Sequence, residues 1–253
     1  MRGREVGLRP RRVTFPGKRI DLDGGDRVCL FIGAGMSAES GVPTYRGAGG
    51  IWGQYNYREV ACQRAFDRQP GVVLDFHEQR RAGLLACAPH AGHAHIAALQ
   101  ARYPGQVSVV TQNIDGMLQR AGVAVAAELH GSIWRMRCAA HGLSDDRAGA
   151  NLVTRHCALC GRWLRPDVTW FEDQVDGAVF DAAMRLIAAS QWLVAVGTTA
   201  SVYPAAGFLP FAREMGVRLV EINPEASDMS DLFEQVIRQP ASVALPALLP
   251  LSR

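Results

Sequence analysis

Cys138-Ala-Ala-His141 and Cys157-Ala-Leu-Cys160 set four soft ligands in a C-x2-H…C-x2-C pattern. Each pair can present two ligands from one tight knuckle, and a Cys3His set makes a closed tetrahedral zinc site. With no open position on the ion, such a Zn2+ is structural. Two competing readings stay open. The insert could pack by apolar contacts without metal, or His156 could ligate in place of His141, although its adjacency to Cys157 makes that geometry poor. A second constellation, Gly33 to Gly41, is a glycine-rich turn after the apolar run Arg27 to Ile32. Glycine lets a backbone approach a pyrophosphate, and a helix start offers free N–H groups to it. Many α/β proteins use such glycines simply to turn, so the loop suggests a nucleotide without settling it. The third group is Asn113, Asp115 and His130. An Asn-x-Asp after a strand is ordinary turn or capping chemistry, and a lone histidine is commonly structural. Imidazole nevertheless titrates near working pH and is the natural general base.

These groups need a scaffold. Apolar runs recur at Val107 to Val110, Trp192 to Val196 and Arg218 to Ile222, each followed by polar or glycine-rich residues. Four such strands describe a parallel sheet whose ligand crevice lies along the carboxyl edge. Phe180 to Ser190 and Ala206 to Met215 suit crossover helices. Residues 45–103, helical in pattern, are too long for one crossover, and 133–169 hold the clustered cysteines. Both read as insertions that pack together beside the sheet as a smaller domain.

The 253 residues are 48% hydrophobic and 20% charged, ordinary for a globular chain. No run approaches ~18 apolar residues, which argues against a membrane span. The arginine-rich first nineteen residues lack a following apolar core and read as a solvated leader rather than a secretory signal. A net charge of +3 does not by itself suggest nucleic acid. Six cysteines without an export signal imply free thiols and a cytoplasmic protein. Cys29, inside an apolar run, reads as core.

The string Gly33-Ala34-Gly35-Met-Ser37-Ala38-Glu-Ser-Gly-Val-Pro-Thr-Tyr45-Arg46 closely resembles the first signature of the sirtuins. Others follow in the family's order: Thr111-Gln112-Asn113-Ile114-Asp115-Gly116, Glu128-Leu-His130-Gly-Ser132, Arg165-Pro-Asp-Val168, Gly197-Thr198-Thr199, Val202-Tyr-Pro-Ala-Ala206 and Glu221-Ile-Asn223. The resemblance implies a Rossmann-type domain with helices on both faces (21–44, 104–132 and 170–253), a small domain from the helical insertion 45–103 and the zinc insertion 133–169, and a basic leader 1–20. It further implies that NAD and an acyl-lysine protein or peptide meet in the cleft between the domains, yielding nicotinamide and O-acyl-ADP-ribose. Asn113 would orient a ribose hydroxyl and a water, Ile114 and Asp115 would contact nicotinamide, and His130 would be the base. The glycine loop, Arg46, Gln112, Gly197 to Thr199, Asn223 and Ala241 would bind the rest of NAD, with Tyr45 over the nicotinamide ribose in place of the usual phenylalanine. NAD hydrolysis or ADP-ribosyl transfer in the same cleft is the alternative activity. The oligomeric state stays open and is compatible with a monomer.

One sirtuin class carries a tyrosine three residues before an arginine, and the pair binds the carboxylate of succinyl- or malonyl-lysine. Here His77 replaces the tyrosine and Arg80 matches the arginine. Arg80 could clamp a carboxylate, and His77 could donate a hydrogen bond or add charge; a charged pair on a solvated helix is the plain alternative. Phe171 and Val202 are expected beside the substrate peptide. Glu172 stands where the family usually has glycine, His141 where it has cysteine, and Gln239 where it has glycine before Pro240.

Overall fold

The computed structural model describes residues 17–47, 49–199 and 204–251. Most of the basic leader, together with Val202, lies outside the described residues. Strands β1 (Val28–Ile32), β2 (Val107–Thr111), β3 (Ala127–Glu128), β4 (Gly131–Cys138), β5 (Gly142–Asp145), β6 (Arg165–Val168), β7 (Trp192–Val196), β8 (Arg218–Ile222) and β9 (Gln235–Ile237) form two sheets. The larger has the order β3-β2-β1-β7-β8-β9 with every neighbour parallel. Its direction of winding reverses between β1 and β7, the switch point where doubly wound sheets bind ligands. The smaller sheet, β5-β4-β6, is antiparallel.

Alternation along β1 explains the layering. Val28, Leu30 and Ile32 face a core shared with Ile96, Leu99, Leu245 and Leu248. Cys29 and Phe31 face the opposite core, shared with Ala183, Ile187, Phe208 and Leu209. Burial pushes the Cys29 thiol up to about 12, as befits a small core residue.

The helices are α1 (Ile51–Gln54), α2 (Tyr57–Val60), α3 (Gln63–Arg68), α4 (Pro70–Leu85), α5 (Ala91–Arg102), α6 (Met117–Arg120), α7 (Gly177–Ala188), α8 (Phe208–Glu214) and α9 (Ala241–Leu248). Helices α5 and α9 cover one face of the large sheet, α7 and α8 the other. The first four pack with β4 and β6 in a separate core around Val73, Leu74, Trp134 and Trp170. The helical insertion therefore ends earlier than residue 103. Helix α5 carries Ile96 and Leu99 into the core beneath β1 and runs against α9, so it is a crossover of the large layer. Among the described residues no helix is long and apolar enough to cross a membrane.

Candidate active site

The strand ends at the switch point meet through glycine. A Cβ on Gly33 would lie 2.7 Å from the Gly197 carbonyl oxygen, and one on Gly197 (φ 61°) 2.3 Å from the Met36 nitrogen. Only bare backbone lets the loop after β1, a 3-10 turn over Ala34–Ser40, sit against the loop after β7. Gly35 N–H donates to the Gly197 carbonyl at 2.8 Å, Gln112 Nε2 to Thr198 Oγ1 at 3.2 Å, and Asn223 Nδ2 to the Thr198 carbonyl at 3.1 Å. These contacts join the ends of four strands into one floor.

Above that floor a cleft of about 420 Å³ opens between the carboxyl edge of the large sheet and the core around Trp134 and Trp170. It is lined by Gly33, Ala34, Gly35, Tyr45, Arg46, Gln112, Asn113, Ile114, His130, Gly197, Thr198, Thr199 and Asn223, and also by His77, Arg80 and Phe171. Ser37, Ala38, Asp115 and Ala241 are not in its lining. Ser37 and Asp115 are buried, and Asn113 Nδ2 lies 3.5 Å from Ser37 Oγ. The Asp115 carboxylate accepts from Met117 N–H at 2.8 Å, and burial raises its pKa. Ala38 is exposed, and Ala241 is buried at the start of α9. Spacing alone gave no signal for Trp52, Phe76, Ile133 and Trp170, which complete the walls. Trp52 stacks on Tyr45 at 5.6 Å between centroids.

Asn113 is held from two sides: its N–H donates to Thr111 Oγ1 and its Nδ2 to the Gly33 carbonyl, both at 3.0 Å. The Gln112 carbonyl accepts from His130 Nδ1 at 2.9 Å. A carbonyl cannot donate, so neutral His130 carries its proton on Nδ1 and keeps a lone pair on Nε2. Burial lowers its pKa, which favours that neutral form.

His77 differs from its sequence expectation. It is 3% exposed, not a solvated helix residue. Its Nδ1 donates to the Val73 carbonyl at 2.8 Å, while Trp170 Nε1 donates to its Nε2 at 3.3 Å. Both nitrogens are committed, and burial brings its pKa down to about 4. It supplies neither charge nor a free donor to a carboxylate. The Arg80 guanidinium lies 5.8 Å from the Tyr45 ring centroid, and its charge acts on the Tyr45 hydroxyl and the Asp115 carboxylate.

Glu172 lines the cleft with φ 75°, the one non-glycine residue with positive φ among those described. Arg64 holds it with two hydrogen bonds of 2.6 and 3.1 Å. The glycine usual at this position fits that left-handed backbone.

The metal ligands converge away from the cleft. Donor atoms of Cys138, His141, Cys157 and Cys160 all lie within 4.8 Å of one another. His141 Nδ1 is 3.5 and 3.3 Å from the Cys138 and Cys157 sulfurs, and Cys138 Sγ is 3.7 Å from Cys160 Sγ. Those separations match the edges of a tetrahedron with Zn–S of about 2.3 Å and Zn–N of about 2.0 Å, so the residues fit zinc. His156 stacks on Trp163 and takes no part.

The Sir2 family model matches residues 33–204, the segment that carries the glycine loop, the Asn113 loop, His130 and the metal ligands. The chain belongs to the Sir2 family. Among its relatives, "NAD-dependent protein deacylase 2" of Pyrobaculum aerophilum is 43% identical over 233 residues, 90% of this chain and 92% of that protein. An NAD-dependent protein deacylase of Ralstonia nicotianae is 38% identical, over 91% of this chain and 94% of its own length. The crystal structure of a Sir2 homologue in complex with NAD superposes with a TM-score of 0.81 at 29% identity, covering 92% of this chain and 93% of that one.

Proposed function

We propose that this Sir2-family chain is an NAD-dependent protein-lysine deacylase that releases nicotinamide and an O-acyl-ADP-ribose. The observation that carries the reading is His130, oriented by the Gln112 carbonyl with Nε2 as its remaining acceptor, in a cleft floored by the Gly33–Gly35 and Gly197 turns. Relatives at 38–43% identity across most of the chain carry the deacylase name, and a Sir2 homologue of the same fold holds NAD. When bound, NAD supplies the anomeric carbon from which nicotinamide departs. The glycine loop and Arg46 would hold its phosphates, and Asn223 its adenosine end. Asn113 and Ile114, which line the cleft, would orient the nicotinamide ribose and the leaving base, with buried Asp115 behind them. Such positioning of an amide oxygen against the anomeric carbon supplies up to ~7–11 kcal/mol of a barrier. Tyr45 and Trp52 keep water from the reacting centre. His130 Nε2 would take up the proton of a ribose hydroxyl of the bound dinucleotide.

The acyl end is apolar, bounded by Phe76, Trp170 and neutral His77, with Arg80 as a cation in its lining. It accepts a neutral acyl group by contact and an acidic one through Arg80. The test is turnover of acetyl- and succinyl-lysine peptides by wild type and Arg80→Met. Loss of succinyl turnover with acetyl turnover kept is the expected result, and equal loss of both overturns the assignment of Arg80.

A further inference from the structure

The cleft wall at Ile114, and buried Asp115 just behind it, is braced by contacts that reach the small module. Trp134 Nε1 donates to the Asp115 carbonyl at 2.7 Å, and Ile133 N–H donates to the Ile114 carbonyl at 3.1 Å. The indole leaves no room beside Gly116, where a Cβ would fall 2.7 Å from Trp134 Nε1. Arg81 in turn sits with its guanidinium 4.9 Å from the Trp134 ring centroid. Arg81 is wholly buried. Its Nη2 donates to the carbonyl and the carboxylate of Asp146 at 2.6 and 2.8 Å, and its Nε to the Gly149 carbonyl at 3.0 Å. Asp146 closes the circuit by donating its N–H to the Trp134 carbonyl at 2.9 Å.

The buried guanidinium is held through Nε and Nη2, while its Nη1 has no partner among the described residues. These partners fix the indole, which spans from β4 to the loop after β2. Gly116, with φ 77°, leaves the adjoining peptide soft. Without the indole N–H, the Asp115 carbonyl would be a buried acceptor lacking that donor.

We propose that Trp134, braced by Arg81 and Asp146, is a positioning residue that sets the Ile114–Asp115 backbone and thereby the affinity of the cleft for nicotinamide. The proposal rests on the deacylase reading. It makes the leaving-group side of the site depend on a contact from the small module, distinct from the acyl-lysine side, where Trp170 and His77 form the wall.

Trp134→Phe keeps a large ring and deletes the N–H. One buried hydrogen bond is worth enough to weaken product inhibition by nicotinamide about three- to tenfold. The KM for an acetyl-lysine peptide should stay within about twofold of wild type. Arg81→Met should move nicotinamide inhibition in the same direction, and if that variant fails to fold, Trp134→Phe decides alone. Nicotinamide inhibition unchanged in Trp134→Phe overturns the proposal. An equal shift in nicotinamide inhibition and peptide KM also overturns it, because it would report general loosening. The wild-type protein is assayed alongside: absence of peptide-dependent nicotinamide release there removes the deacylase reading itself, an outcome separate from a failure of Trp134.

Discussion

His130 owes its competence as a base to two features that act together. The Gln112 carbonyl holds the proton on Nδ1, and burial keeps the ring neutral. Because only the neutral ring accepts a proton, activity should be full near neutral pH and fall as acid protonates the ring. The acid limb of kcat/KM should therefore lie below the ordinary histidine value of about 6.5; a midpoint above it contradicts the account. His130→Ala should abolish deacylation with an unchanged circular-dichroism spectrum. Glu172 makes a different case. Left-handed backbone costs a non-glycine residue roughly 1–2 kcal/mol, while an ion pair as exposed as Arg64–Glu172 returns little. Glu172→Gly should hence be neutral to slightly stabilising in thermal melts. Arg64→Ala should lower the melting temperature of wild type but leave the Glu172→Gly background unmoved, and equal losses in both would refute the coupling.

At the scale of elements, the metal module and the sheet show what pattern can and cannot reveal. The C-x2-H…C-x2-C spacing marked four donors that do converge in space. One zinc per chain is expected by elemental analysis. His141→Cys should retain it, and Cys160→Ala should lose it together with several degrees of thermal stability; full metal content in the alanine variant would contradict the ligand set. Strands β1, β2, β7 and β8 were legible because each is a buried apolar run, whereas β3 and β9, two and three residues long, carry no periodicity. The helix signal over 45–103 is equally real, but periodicity cannot say which core a helix faces, and so it does not separate α5, which covers the large sheet, from α1 to α4. His77 fails for a related reason. Its place in a motif is local, while its partner Trp170 lies 93 residues away. By contrast, the glycines at the switch point announce themselves, since only they allow two backbones to touch.

For the whole molecule, buried neutral histidines contribute to the response to acid. Burial holds His77 and His93 at about 4, and lowers His95 and His130 as well. These groups protonate near 6.5 once the chain unfolds. The unfolded state then binds more protons, so stability falls as pH drops from about 6.5 towards 4, by up to ~1.4 kcal/mol per pH unit for each fully buried ring. Denaturant midpoints that stay flat across that window would contradict it.

The two packed bodies meet at one cleft that joins an NAD-type floor to an apolar acyl end, and coupling between the two is the central claim. Nicotinamide release from NAD, measured with acetyl-lysine peptide, with succinyl-lysine peptide and with none, tests it most directly. The account predicts release that depends on an acylated peptide and disappears in His130→Ala. Equal release without peptide would contradict it and make the protein an NAD hydrolase.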